Sequence, residues 1–345
     1  MAIDAIFDTN QLVHVVRNLK LPSDFLLKTF FPNVVEFDTE FVSVDVDVGL
    51  RRMAPFVSPL VEGKPVEGRK FQTNTFKPAY IKDLRTPDFR RPVLRSIGER
   101  IGGSLTPEQR IAANLAFEME DQVQMVDRRL EWMAAQAMVN GKYTVSGDGF
   151  ETVLLDFQRD SALTVDISSG GTNTPWLTTD HQLASANIET WAQIVLQKSG
   201  RSPTDIVFTT GAYNKFIADT RVQKSVWYDR SGDSTVEFGG GVATGAVYKG
   251  IWGSYRLWLY NDWYIDSAGV EQPMIPDNTV ILSSGALEGI RAFGAIMDED
   301  FAYGPLAYAP KSWVEKNPSR RHLLMQSAPL VVPSRVNAAL SAKVA

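Results

Sequence analysis

The chain has 345 residues, a net charge of −5, 44% hydrophobic and 22% charged residues, the profile of a globular protein able to bury a sizeable core. It contains no cysteine, which excludes disulfides, zinc–thiolate sites, iron–sulfur clusters and a thiol nucleophile. No basic-then-apolar leader and no apolar run of about 18 residues occurs, so neither a signal peptide nor a membrane span is expected.

In chain order, Asp8-Thr9-Asn10 is placed to cap a short helix carrying Leu12, Val13, Val16 and Leu19 at helical spacing, ending before Pro22. Val35 to Val48 alternates like a strand, but its phase slips between Phe41 and Val42, which a bulge or sharp bend would reconcile. Charge is segregated: residues 1–48 carry net −5, residues 49–100 net +7, and the remainder net −7. The basic segment is rich in proline and glycine, with strand-like stretches at Ala54 to Val61 and Lys70 to Tyr80. It reads as a long β-hairpin with little core of its own, and it gains order by lying on something else. Its cations Arg51, Arg52, Lys64, Arg69, Lys70, Arg90 and Arg91 are the candidate contacts with the acidic surface of a neighbouring copy; a solvated basic face is the plainer alternative.

Thr106-Pro107-Glu108-Gln109 is the clearest local signal: an N-cap, a proline at the first helical position, an acid near the positive helix end, and Gln three residues after the cap. Ile111, Leu115, Met119, Val123, Val126, Leu130, Met133 and Ala137 then recur at helical spacing up to Asn140-Gly141. The helix should be about 50 Å long at 1.5 Å per residue, which suits an elongated subunit with a spine. Met119, Met125, Met133 and Trp132 are expected to be core packing. A strand pair follows at Lys142 to Val145 and Thr152 to Phe157, then a polar linker from Ser168 to Asp180. Helices at Ile188 to Lys198 and Ala212 to Asp219, with strands at Ile206 to Thr210, Arg256 to Ile265 and a closing strand Thr279 to Leu282, suggest a compact α+β unit. Strands around Phe293 to Met297 and His322 to Val332 should pair with the region of the long helix.

A search for chemistry finds no constellation. His14, His181 and His322 lie in three separate units without a partner at metal-ligand spacing. The glycine run Gly239 to Gly245 lacks both the third glycine of a dinucleotide motif and the Gly-Lys-Ser/Thr of a P-loop, so it reads as a loop tip. Asp45 and Asp47 fall on the polar face of a strand rather than in a calcium loop, and Asp298-Glu299-Asp300 reads as a solvated acidic turn. No Gly-x-Ser-x-Gly elbow or His-Glu-x-x-His helix is present, and neither a cofactor nor a metal is expected. A carbohydrate-binding or hydrolytic enzyme remains the alternative, resting on Trp252, Trp258 and Trp263 near Asp262 and Asp266; core packing is the simpler account of these aromatics. A sequence-independent DNA binder is disfavoured by the acidic balance outside the loop.

Five blocks in order, Phe56 to Val61, Gly141 to Thr144, Pro276 to Val280, Pro310 to Val314 and Met325 to Leu330, resemble the lambda-like phage major capsid proteins, the capsid protein E family, over nearly the whole chain. The resemblance implies an α+β HK97-type capsid fold: an N-terminal arm (1–48), an extended loop (49–100), a peripheral domain with the spine helix (101–180 and 285–345) and an axial domain (181–284). It further implies a non-enzymatic shell protein of the virion that assembles with itself into hexamers and pentamers in the host cytoplasm. A separate scaffold protein, a portal and a decoration protein would be its partners, and double-stranded DNA would be enclosed without sequence-specific contacts. Some members of the wider fold weld subunits through a lysine of the extended loop and an asparagine elsewhere; Lys64 and Lys70 lie in this loop, but no motif matches them to that chemistry.

Overall fold

The computed structural model describes residues 25–39, 41–47, 53–60, 62–64, 71–86, 106–147, 149–168, 174–229, 246–266, 268–316 and 319–345. The expected helix near Asp8, the basic residues Arg51, Arg52, Arg69, Lys70, Arg90 and Arg91, His14 and the glycine run from Gly239 lie outside the described residues.

The chain enters through a short helix, α1 (Phe25–Phe30), and a strand, β1 (Asn33–Glu36). A two-stranded hairpin follows, β2 (Val42–Asp47) antiparallel to β3 (Phe71–Phe76), then β4 (Ile81–Arg85). The phase slip near Phe41 is therefore a break between strands of different sheets, not a bulge, since β1 runs parallel to a strand far along the chain. No strand forms over 53–60; Pro55 and Pro59 lack the N–H groups that a ladder needs.

The spine helix α2 (Pro107–Asn140) spans 34 residues. Both halves of its capping box are formed: the Gln109 amide donates to Thr106 Oγ1 at 3.3 Å, and the Thr106 amide donates to Gln109 Oε1 at 2.9 Å. It ends at Gly141, whose φ of 67° lets the turn close with an N–H bond to the Ala137 carbonyl. Leu115, Met119, Val123, Val126, Leu130, Met133 and Ala137 are all buried, as their spacing requires, whereas Met125 is exposed and Trp132 half-buried. The expected core roles of Met119 and Met133 hold, and that of Met125 does not.

Beyond α2 come the hairpin β5 (Lys142–Gly147) and β6 (Phe150–Asp156), a short strand β7 (Thr164–Asp166), α3 (Leu183–Ser199), β8 (Asp205–Phe208), α4 (Thr210–Ile217) and α5 (Thr220–Asp229). Strands β9 (Ala246–Trp252), β10 (Tyr255–Tyr260), β11 (Trp263–Ile265), β12 (Glu271–Pro273) and β13 (Thr279–Ser283) follow. The chain finishes with β14 (Gly289–Phe293), β15 (Ala309–Lys316), β16 (Ser319–Ser327), β17 (Pro329–Pro333) and β18 (Leu340–Lys343). The single strand expected over 256–265 is thus two, and β11 pairs with β12 in a separate hairpin.

The largest sheet has six strands in the order β7-β18-β13-β8-β10-β9. Strand β13, expected to close its unit, instead lies inside the sheet between β18 and β8. Along β8 and β13 alternate side chains enter different cores: Ile206, Phe208, Val280 and Leu282 pack with α3 and α4 residues such as Ile188, Trp191 and Phe216, while Val207 and Ile281 join the cluster around α2. A sheet covered on both faces needs unbroken apolar strands, and both strands are buried throughout. The second core joins α2 to α1 and to the sheet β1-β14-β17, with Leu330, Val331 and Val332 at its centre. The third sheet, β15-β16-β4, ties β4 to the C-terminal part of the chain.

Candidate assembly surface

Within the basic segment, the described residues of 53–64 have almost no cover, whereas β3 and β4 are paired and bury Phe76 and Ala79. Every residue of 53–60 and 62–64 is exposed, including Lys64. Met53, Phe56 and Leu60 show 89%, 106% and 94% of their full surface. Single exposed apolar residues are ordinary, but three large ones within eight residues lacking a strand or helix make a surface that association would bury.

This segment is flanked by anchored strands. Arg85, at the end of β4, is held against the spine by Glu118 at 3.0 Å and Asp121 at 2.7 Å, and by Asp83 on its own strand at 3.1 Å. Burial opposes the charged guanidinium, but the bonds to Glu118 and Asp121 outweigh it and raise the pKa. Gln122 of α2 donates to the Asp83 carbonyl at 3.0 Å. Beside this junction an open groove of about 980 Å³ runs between β4, α2 and β5, lined by Met125, Arg129, Trp132 and Tyr143 among others. A second groove, of about 790 Å³, continues past Trp132 to Trp263 and Ile265 of β11, both exposed. The Trp132 indole N–H has no hydrogen-bond partner among the described residues.

Two buried carboxylates one turn apart on α2 organise the centre of the subunit. Glu131 accepts the Leu26 and Leu27 amides at 3.0 and 3.1 Å and the Tyr260 hydroxyl at 3.0 Å. Asp127 accepts the Tyr308 hydroxyl, and burial pushes its pKa up to about 6. At the end of α2, Arg159 donates to the Met138 and Val139 carbonyls, both at 2.5 Å, so a half-buried cation satisfies the last turn and complements the helix dipole. Burial lowers its pKa to about 10, leaving it charged at neutral pH. None of these three residues was singled out from the sequence. The polar positions 127 and 131 fall on the buried face of the 3.6-residue period, and that is the signal that points to them.

The residues weighed for chemistry are dispersed. His181 is buried, its Nε2 2.8 Å from the Lys215 carbonyl and its Nδ1 accepting the Leu183 amide at 3.1 Å, a structural role at the start of α3. His322 stacks on Trp313 at 5.2 Å and lies 3.3 Å from Glu315. The acidic turn is not simply solvated: Asp298 accepts from Lys311 at 2.8 Å and from Gln326 at 3.0 Å, and Asp300 also pairs with Lys311. Trp258 donates to Asp205 at 3.0 Å and packs on Phe25, and Trp252 packs edge-on against Phe216, whereas Trp263 is exposed with Asp262 bonded to its own backbone. The three Trp do not form one face with Asp262 and Asp266. Among the described residues, no group of three or more His, Asp or Glu could hold a metal ion, and no helix is long and apolar enough to cross a membrane.

The described residues combine a long spine helix, a six-stranded sheet shared between two cores, five smaller sheets and an exposed stretch at 53–64. The model of the phage major capsid protein E family matches residues 8–344, and the chain belongs to that family. It is 29% identical to the major capsid protein of Escherichia phage lambda over 335 residues, covering 95% of this chain and 96% of that one. It is 28% identical to the major capsid protein of Enterobacteria phage phi80, covering 99% and 100%. Among solved structures, a putative prophage capsid protein from E. coli CFT073 superposes with a TM-score of 0.76 at 21% identity, covering 98% of this chain and 99% of that one. The capsid of Ralstonia phage GP4 gives 0.50 at 14%, covering 94% and 92%. The fold is the HK97-type capsid fold, and the protein is a structural, non-enzymatic component of the virion shell. The enzyme alternative is set aside.

Proposed function

We propose that copies of this chain close into an icosahedral shell of hexamers and pentamers around packaged double-stranded DNA, held without sequence-specific contacts. Residues 1–48 serve as the arm, 49–100 as the extended loop, 101–180 with 285–345 as the peripheral domain, and 181–284 as the axial domain, with β7 and β18 completing the axial sheet. A separate scaffold protein, a portal and a decoration protein join the assembly in the host cytoplasm.

The observation that carries the reading is the exposure of 53–60, with Phe56 fully open to water. A segment so apolar and so poor in contacts gains order by docking on another copy. The groove along α2 is a suitable receiver for its apolar side chains, since Met125 and Trp132 offer apolar surface there. Arg51, Arg52, Lys64, Arg69, Lys70, Arg90 and Arg91 then act as contact residues between copies. Expression with the neighbouring phage genes followed by negative-stain microscopy should show rings or closed shells. A strictly monomeric species by light scattering, with 53–64 protected from hydrogen exchange, overturns the reading.

A further inference from the structure

Helix α1 is only six residues long, yet it touches three separately formed parts of the subunit. Its first turn gives two amides to Glu131 of the spine, and the Glu131 oxygen that accepts Leu26 also accepts the hydroxyl of Tyr260 at the end of β10. Glu131 and Tyr260 are each 1% exposed. The Phe25 ring lies 4.9 Å from Trp258 and 6.0 Å from Tyr260, so α1 packs on the same strand that shares its carboxylate. At the other end, Phe30 and Phe31 press on Gly289, the first residue of β14, where even a methyl group would overlap the Phe30 carbonyl and the Phe31 ring. Arg291 of β14 donates to the Pro32 carbonyl at 3.3 Å.

We propose that α1 is a coupling wedge: its seating on Glu131 sets the position of β10 and the six-stranded sheet against the spine, so displacement of the chain just before Phe25 is transmitted to that sheet. The physical basis is that the three donors on Glu131 are not independent. Withdrawing α1 removes two backbone donors from a carboxylate in the core, a loss too costly to persist without rearrangement. Tyr260 and its strand must follow, or water must enter. The loss of Phe25 also uncovers Trp258, so the apolar and polar contacts fail together. A pull on the arm is thereby converted into movement of a sheet formed from residues 164–343.

The coupling is a property of the subunit and is read on the unassembled full-length chain, so its failure leaves the shell reading untouched. Hydrogen exchange with mass spectrometry is followed in two segments, 25–31 and 255–260. Gly289→Ala pushes on α1 from the end away from β10. It should accelerate exchange about tenfold in 25–31 and also raise it clearly in 255–260, because both belong to one opening unit. Tyr260→Phe, which deletes one hydroxyl and is expected to fold, reads the coupling in reverse and should accelerate exchange in 25–31. Faster exchange in 25–31 of Gly289→Ala with 255–260 unchanged overturns the proposal. So does Tyr260→Phe that leaves 25–31 at the wild-type rate, which decides the matter if Gly289→Ala does not fold.

Discussion

Replacing Asp127 by Asn isolates the cost of a buried charge on the spine. Asp127 is 4% exposed, one of its oxygens accepts the Tyr308 hydroxyl, and the other has no hydrogen-bond partner among the described residues. Burial raises its pKa from 3.8 to about 6, against the Tyr308 hydroxyl and the charges of Arg291, Arg128 and Lys28, which pull it down. The folded protein therefore holds this proton more tightly than the unfolded chain. Its stabilising contribution is fully present below pH 3.8 and is lost as pH rises through about 6. A carboxyl held this far above its ordinary value corresponds to about 3 kcal/mol between the two limits. Asn keeps the acceptor for Tyr308 and removes the titration. The urea-unfolding free energy of dilute, unassembled subunit should then fall by about 2 kcal/mol more in the wild type than in Asp127→Asn between pH 4 and pH 7. A difference between the two proteins that is independent of pH, or that grows in the opposite direction, refutes an elevated pKa at this site.

Leu130→Asp places an unpaired charge at a position 2% exposed and should abolish soluble folding; recovery of folded but unassembled subunits would mean that this face is an interface. Arg159→Met keeps much of the side-chain volume but takes the guanidinium donor from the Met138 carbonyl and leaves the Val139 carbonyl with the Ser341 hydroxyl. It should lower stability by about 2–4 kcal/mol in urea, and a loss below about 0.5 kcal/mol would show that water replaces the guanidinium. Reversing Arg51, Arg52, Arg90 and Arg91 to Glu should leave the subunit fold intact by circular dichroism while impairing assembly. Each exposed pair is worth only about 0–1 kcal/mol, but four reversals recur at every symmetry-related contact. Raised salt should weaken wild-type assembly in the same direction, and normal shells from the quadruple variant with unchanged salt dependence would assign these cations to a solvated face.

The parts of the fold that were legible share one property, that neighbours in sequence supply the determinants. The spine could be read to within a residue because its cap, its first-turn proline and its αL stop lie within a few residues of its ends, and its buried stripe repeats locally. The β5–β6 hairpin, with its turn cluster at Ser146 to Gly149, was legible for the same reason. Strand partnership was not. The alternation from Val35 to Val48 contains no signal that β1 will lie beside β14, more than 250 residues away, while β2 turns to β3. Strands β15 and β18 carry no clear strand signal, because β15 mixes polar and apolar residues and β18 is only four residues long.

The sequence by itself determined the class of the protein: a cysteine-free subunit with a long spine, a basic segment lacking a core of its own, no catalytic constellation, and five blocks in the order of a capsid family. These are local patterns and compositions, and they survive without knowledge of contacts. Only the tertiary structure decided where β18 and β13 sit in the six-stranded sheet, that Asp127 and Glu131 are buried and Arg159 half-buried, and that all three bond to partners 20 to about 180 residues distant. A charged residue on a helix reads as solvent-facing until the elements that cover it are in place. Those elements arrive from remote parts of the chain, and their arrival is favourable only when hydrogen bonds made across the fold offset the cost of removing the charge from water.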